Sequence, residues 1–140
     1  MKILLAVDGS EYTKKMLAYL ATHEELFSVA NQFTLLTVQP QLPVRARNAV
    51  GKEAVDTYHR EESEKVLGPA IQFLLRHGID AKSESKVGHA GETIAKTAES
   101  GKYDMVVLGS HGHSALGNLI MGSVATQVLA LCKVPVLLVR

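Results

Sequence analysis

The residues best suited to chemistry cluster in GSHGHSALGNLIMGSVATQVL, residues 109–129, where Gly109, Gly112, Gly117 and Gly122 punctuate the passage from an apolar run to a helical one. Glycine lets backbone N–H groups approach a ligand with no side chain in between, and a helix start adds free amides and the positive end of the helix dipole. Gly122-Ser123 supplies such a start together with a hydroxyl. The guest these features suit is a phosphate, although tight turns alone would use the same glycines. Asp8 closes the apolar run Ile3–Val7; a carboxylate there either faces a ligand or caps the helix that follows.

Two common nucleotide motifs are excluded by the letters themselves. Gly117 is followed by Asn118 and Leu119, so the Lys-Ser/Thr pair with which a Walker loop grips the terminal phosphate is missing. No G-x-G-x-x-G follows the first strand, and the second strand ends in Val38-Gln39 where a dinucleotide fold would place an acidic ribose ligand. His111 and His113 share the loop, but no further Cys, His or carboxylate stands at the spacing zinc requires. His111 is suited to donating a hydrogen bond to phosphate, and the other histidines read as solvated or capping residues. No Ser/His/Asp constellation is placed in reach by spacing.

These residues need a scaffold, and the chain supplies alternating strand and helix signals. KILLAVD is a short continuous apolar run of the kind found in a parallel strand covered on both faces. Ser10 is placed to cap a helix carrying Met16, Leu17, Leu20 and Ala21 at helical spacing. Phe33–Val38 reads as the second strand, closed by Gln39-Pro40. Pro40 to Gly51, with two prolines and no apolar period, reads as a long surface loop. A helix from about Glu53 to His77 turns Val55, Tyr58, Val66, Phe73 and Leu74 inward, with Gly68-Pro69 expected to kink or divide it and His77-Gly78 to stop it. Ala81–Val87 is a weak strand suited to a sheet edge. Gly91–Ser100 is helical with Ile94, Ala95 and Ala98 inward, Tyr103–Leu108 is a buried strand, and helix Ser123 to about Leu131 and strand Val134–Val139 finish the chain. Five strands alternating with four helical segments imply an α/β fold, an open parallel sheet with helices on both faces.

At 140 residues the chain has the length of one domain, taken as residues 1–140, and 46% hydrophobic with 21% charged residues is an ordinary globular composition. Fifteen basic against fourteen acidic residues leave a net charge of +1, which argues against a nucleic-acid partner. The single cysteine, Cys132, sits in the apolar run QVLALC, where it is expected as a buried structural thiol in a reducing compartment. The first apolar stretch is too short for a signal peptide and no run reaches membrane-spanning length, so a cytoplasmic protein without membrane insertion is expected.

Gly109-x-x-Gly112, nine residues, then Gly122-Ser123 matches the G-2x-G-9x-G-S/T signature of ATP-binding universal stress proteins. The chain resembles that family from end to end, with KILLAVDGS at the start, Val87-Gly88 near the helical segment Gly91–Ser100, YDMVVLGSHG before the loop and VPVLLVR at the terminus. The resemblance implies a five-stranded sheet ordered 3-2-1-4-5, with Asp8 and the Gly109 loop meeting where the winding reverses. It also implies ATP as ligand, with Mg2+ assisted by Asp8 or a ribose hydroxyl bound by it, and adenine framed by Val7 and Val38. Gly109, Ser110, His111, Gly112, Ser123 and Val124 would surround the phosphates, and Ala6, His113, Ser114 and Gly122 complete the implied nucleotide-binding set. One departure stands out: Gly88-His89-Ala90-Gly91 replaces the small residue and proline usual there, a change expected to touch a helix start more than the ligand loop. Pairing through the terminal strand, Pro135–Val139, implies a homodimer. The implied function is a nucleotide-dependent regulatory or stress-response module with an unidentified protein partner and at most slow ATP hydrolysis or self-phosphorylation. The alternative is a dimeric scaffold of the same fold that binds no nucleotide.

Overall fold

In the computed structural model, which describes residues 1–25, 27–113 and 120–140, the chain runs β1 (Lys2–Ala6), α1 (Glu11–Thr22), β2 (Gln32–Gln39), α2 (Val44–Val50), α3 (Lys52–Arg76), β3 (Lys82–Val87), α4 (Ala90–Ser100), β4 (Met105–Gly109), α5 (Ser123–Leu131) and β5 (Val136–Val139). The strands form one parallel sheet in the order β3-β2-β1-β4-β5. Ala6 is in register with Leu36 on one side and Leu108 on the other, so the ends of β1, β2 and β4 lie side by side.

Strand alternation divides the core into two layers. Ile3, Leu5 and Val7 pack with Phe33, Leu35 and Val107 beneath α1 and α3, whereas Leu4 and Ala6 pack with Leu36, Val106 and Leu108 beneath α4 and α5. Both faces of β1 are therefore apolar, which is why its sequence shows no alternation. β3 has the opposite character: Lys82, Ser83, Glu84 and Ser85 are all exposed, yet the strand pairs with β2 across six residues. Backbone pairing holds it, and its charges discourage association along the open edge.

The helices differ from the sequence reading in three places. Part of the expected Pro40–Gly51 loop is the helix α2, which buries no residue and so carries no apolar period; its C-terminal turn closes with the Gly51 N–H donating to the Arg47 carbonyl. The second difference is that Pro69 does not divide α3, which is helical from Lys52 to Arg76. The hydrogen bond lost at Pro69 belongs to the carbonyl of Lys65, an exposed residue, where solvent can reach it. Thirdly, the buried face of α3 is Ser63, Leu67, Ala70 and Leu74, while Tyr58 is exposed and Val66 and Phe73 pack only at the core margin. A 25-residue helix is about 37 Å long, against about 26 Å for the eight residues of β2, so one end must overhang the sheet; it is the N-terminal end that buries nothing before Ser63. The stop at Gly78 is as expected: with φ +76 it lets its N–H reach the Leu75 carbonyl and the Ile79 N–H reach that of Leu74.

Cys132 is half-buried at the C-cap of α5 and packs against the second layer. No helix among the described residues is long and apolar enough to cross a membrane.

Candidate functional site

A cleft of ≈ 400 Å³ opens at the carboxyl edge of the sheet, across the ends of β1, β2 and β4. β1 feeds α1 on one face and β4 leads to α5 on the other, so the cleft lies at the switch point where open α/β sheets characteristically hold ligands. Its inner walls are apolar, from Ala6, Val7, Leu36, Val38, Ile94 and Leu108. The polar end is formed by Asp8, the Gly109–His113 segment and the start of α5.

Asp8 is held by the first turn of α1. Thr13 is buried and its hydroxyl donates to Asp8 Oδ1 at 2.9 Å while accepting the Asp8 N–H at 3.0 Å. Oδ1 also accepts from the Ser10 N–H at 2.9 Å, an Asx turn that turns the chain out of β1. The cap of α1 itself is Ser10, whose hydroxyl accepts from the Thr13 N–H at 3.4 Å, so the capping role weighed for Asp8 falls to its neighbour. The second oxygen, Oδ2, makes no hydrogen bond among the described residues and lies 2.8 Å from where a Cβ on Gly112 would stand. One carboxylate oxygen is thus fixed by the scaffold and the other is presented to the loop. Thr13→Val would remove the partner of the half-buried Asp8 N–H and one partner of the carboxylate, at an expected cost of about 1–3 kcal/mol in urea-unfolding stability; an unchanged stability would show that the hydroxyl does not hold the turn.

The loop after β4 is pinned from several sides. The Ser110 N–H donates to the Val139 carbonyl at 2.9 Å and the Gly122 N–H to the Ser110 carbonyl at 2.7 Å, which draws the two ends of the loop together. His113 Nε2 donates to the Asp8 carbonyl at 2.7 Å, tying the loop to the end of β1. His111 Nδ1 and the Ser110 hydroxyl share a hydrogen bond at 2.8 Å, and the His111 ring lies tilted against Tyr12 with ring centroids 4.8 Å apart. Lys15 stands over the Tyr12 ring at 4.8 Å, bringing a cation to the outer side of this pair.

Among the described residues no side chain caps the start of α5. The first helical amides, at Ser123, Val124 and Ala125, have no intrahelical carbonyl to bond, and these three residues line the cleft. Because the Gly122 amide is already paired, the free donors begin one residue later than the glycine itself.

The structure therefore gathers Ala6, Val7, Asp8, Val38, Gly109, His111, Gly112, His113, Gly122, Ser123 and Val124 around one cleft. Ser110 is close in sequence but behind the wall, 3% exposed and outside the lining. Ser114 lies outside the described residues. Sequence reasoning missed Thr13, Leu36, Ala90, Ile94, Leu108 and Ala125, all of which line the cleft. The Gly88–Gly91 departure does lie at a helix start, and because α4 begins at Ala90 in the cleft wall, that helix start also borders the cleft.

Comparison with known proteins agrees with this architecture. The family model described as the universal stress protein family matches residues 1–140. Universal stress protein MJ0577 of Methanocaldococcus jannaschii is 36% identical over 154 aligned positions, covering 99% of this chain and 94% of that protein. Universal stress protein Slr1230 of a Synechocystis strain is 31% identical over 139 residues, and there the chain spans only 42% of the relative's length. A solved structure of MJ0577 superposes with TM-score 0.83 at 28% identity, covering 99% of this chain and 94% of that one. A universal stress protein from Archaeoglobus fulgidus, solved in complex with dAMP, shares the fold with TM-score 0.71 at 19% identity, covering 100% of this chain and 98% of that one. On the full-length family match, the chain belongs to the universal stress protein family.

Proposed function

We propose that the cleft binds an adenine nucleotide, ATP with Mg2+, and that the chain acts as a nucleotide-dependent regulatory module in the cytoplasm. The observation that carries this reading is the meeting, in one cleft, of a glycine-containing loop with a helix start uncapped and a carboxylate oxygen unpartnered among the described residues, beside an apolar inner wall. The amides of Ser123, Val124 and Ala125 suit phosphate oxygens, with the Ser123 hydroxyl and His111 beside them. Val7, Val38, Leu36 and Ile94 offer an apolar slot of the kind a planar base needs. Asp8 Oδ2 can accept from a ribose hydroxyl or ligate Mg2+. Among the described residues no three His, Cys, Asp or Glu gather as a metal cluster, and a lone carboxylate beside a phosphate site is the donor set Mg2+ favours. The ion would neutralise phosphate charge; the protein's part is to hold Asp8 through Thr13 and to present the α5 amides.

β5 has one strand neighbour, β4, and half-buried Val136, Leu137 and Leu138. A homodimer through Pro135–Val139 would pair that free edge and cover the adjoining apolar surface, so that occupancy of a cleft one strand away can bias the interface or a protein partner's affinity. Sedimentation equilibrium reads the dimer directly, and a monomer at micromolar concentration would overturn it.

Calorimetric titration of the nucleotide-stripped protein with ATP and Mg2+ tests the central reading. Saturable binding at one site per chain is the expected result. No detectable heat at millimolar ATP would leave the fold in place and favour the nucleotide-free scaffold.

A further inference from the structure

A second cavity, ≈ 380 Å³, opens at the same edge of the sheet and shares no lining residue with the first. It follows from the overhang of α3: the segment of α3 before Ser63 and the short α2 enclose a space beyond the ends of β2 and β3. Gln41 lies three residues after Val38, and Val87 three before Ala90, so the two cavities are neighbours.

The lining is polar on the helix side. Arg47 and Asn48 come from α2, Lys52 and His59 from α3 and Gln41 from the connection after β2, with Asp56 the single carboxylate; Val55 and Val87 provide apolar surface. Two fixed cations thus face one anion. The ion pairs among the described residues are Lys65–Glu62 and Lys86–Glu84, so among these residues neither Arg47 nor Lys52 is held in an ion pair. Arg47 Nε is buried with no hydrogen-bond partner among the described residues, and a buried donor left unpaired is costly unless a ligand or a turn of the guanidinium satisfies it.

His59 is oriented by the core. Its Nδ1 donates to Gln39 Oε1 at 2.8 Å, while Gln39 Nε2 donates to the Ser63 hydroxyl at 2.6 Å and to the His59 carbonyl at 2.8 Å. This network fixes the ring and leaves Nε2 as its second polar atom.

We propose that this cavity is a second ligand site, for a small metabolite carrying an oxyanion group that Arg47 and Lys52 hold, with Asn48 and Gln41 as neutral donors and the apolar body of the ligand over Val55 and Val87. A guanidinium fork beside an ammonium matches phosphate or carboxylate oxygens. The inference does not rest on the nucleotide reading, because it uses different residues.

Amide-resolved NMR titration of the full chain with inorganic phosphate, and separately with acetate, tests it against chloride at matched ionic strength. Saturable shifts at Arg47, Asn48, Lys52 and His59 with at least one oxyanion are expected, and the tighter of the two identifies the group. Arg47→Met and the exposed Lys52→Met should each weaken that binding about tenfold, as removal of a charged hydrogen-bonding partner does. Shifts confined to Gly112 and Ser123 would assign the oxyanion to the first cleft and overturn the proposal. So would an affinity unchanged in both variants, or no saturable shift beyond chloride.

Discussion

Gly122→Arg is expected to lower ATP affinity by about 100-fold or more, equivalent to about 2.7 kcal/mol. A Cβ at this position would stand 3.1 Å from His111 Cα, 3.3 Å from the Ser110 carbonyl oxygen and 3.6 Å from the Gly112 nitrogen. All three are backbone atoms, so no flexible side chain can move aside. The backbone angle at Gly122 is φ −73, open to any residue, and the constraint is therefore space alone. Beyond Cβ, the arginine side chain must enter the cleft in front of the Ser123 and Val124 amides or push the loop outward. The close backbone contacts mean that an overpacking cost of about 1–3 kcal/mol should accompany the binding loss. Calorimetry and urea unfolding on the same sample separate the two effects. Unchanged ATP affinity would remove this cleft as the nucleotide site, whatever happened to stability.

The elements that surround the cleft were legible because their residues obey local rules. β1 and β4 are continuous apolar runs since both of their faces are covered, and Ser10 and Gly78 are residues whose chemistry marks a helix start and a helix stop. The order of strands came from family resemblance, as periodicity does not say which strands pair. α2 was illegible because it buries nothing, so there was no period to read. The inward face of α3 was misjudged for the converse reason: its apolar residues run past the end of the sheet, and an overhanging helix exposes side chains that its sequence alone would place inside. At the site, motif spacing located the loop and the helix start. It could not show that the Gly122 amide is spent on Ser110, that Ser110 lies behind the wall, or that Ala90 and Ile94 arrive from α4 to form the far side. Thr13 left a faint signal, a hydroxyl three residues after the Ser10 cap, but its grip on Asp8 depends on how α1 leaves β1.

The two glycines of the Gly109–Gly112 pair should fail differently when each is replaced by alanine. A Cβ on Gly109 would stand 2.7 Å from Tyr12 Cβ and 3.1 Å from the Tyr12 carbonyl carbon and oxygen. That glycine is what lets the first turn of α1 rest on the end of β4, a packing requirement that exists with or without a ligand. Gly109→Ala should therefore cost about 1–3 kcal/mol in urea-unfolding stability. Some ATP affinity should go with it, because Tyr12 adjoins the Thr13 that holds Asp8. A Cβ on Gly112 meets a different neighbour, Asp8 Oδ2 at 2.8 Å. Oδ1 is anchored by Thr13 and Ser10, so the carboxylate cannot swing freely, and the clash falls on the oxygen left for the ligand. Gly112→Ala should weaken ATP binding about tenfold, or about 1.4 kcal/mol, with stability changed by no more than about 0.5 kcal/mol, the usual range for a substitution outside the core. The contrast between the variants is the test. If Gly109→Ala kept full stability and lost only affinity, Gly109 would be a ligand-approach glycine, as motif spacing suggests. If Gly112→Ala bound ATP as the parent does, Asp8 Oδ2 would have no part in holding the nucleotide.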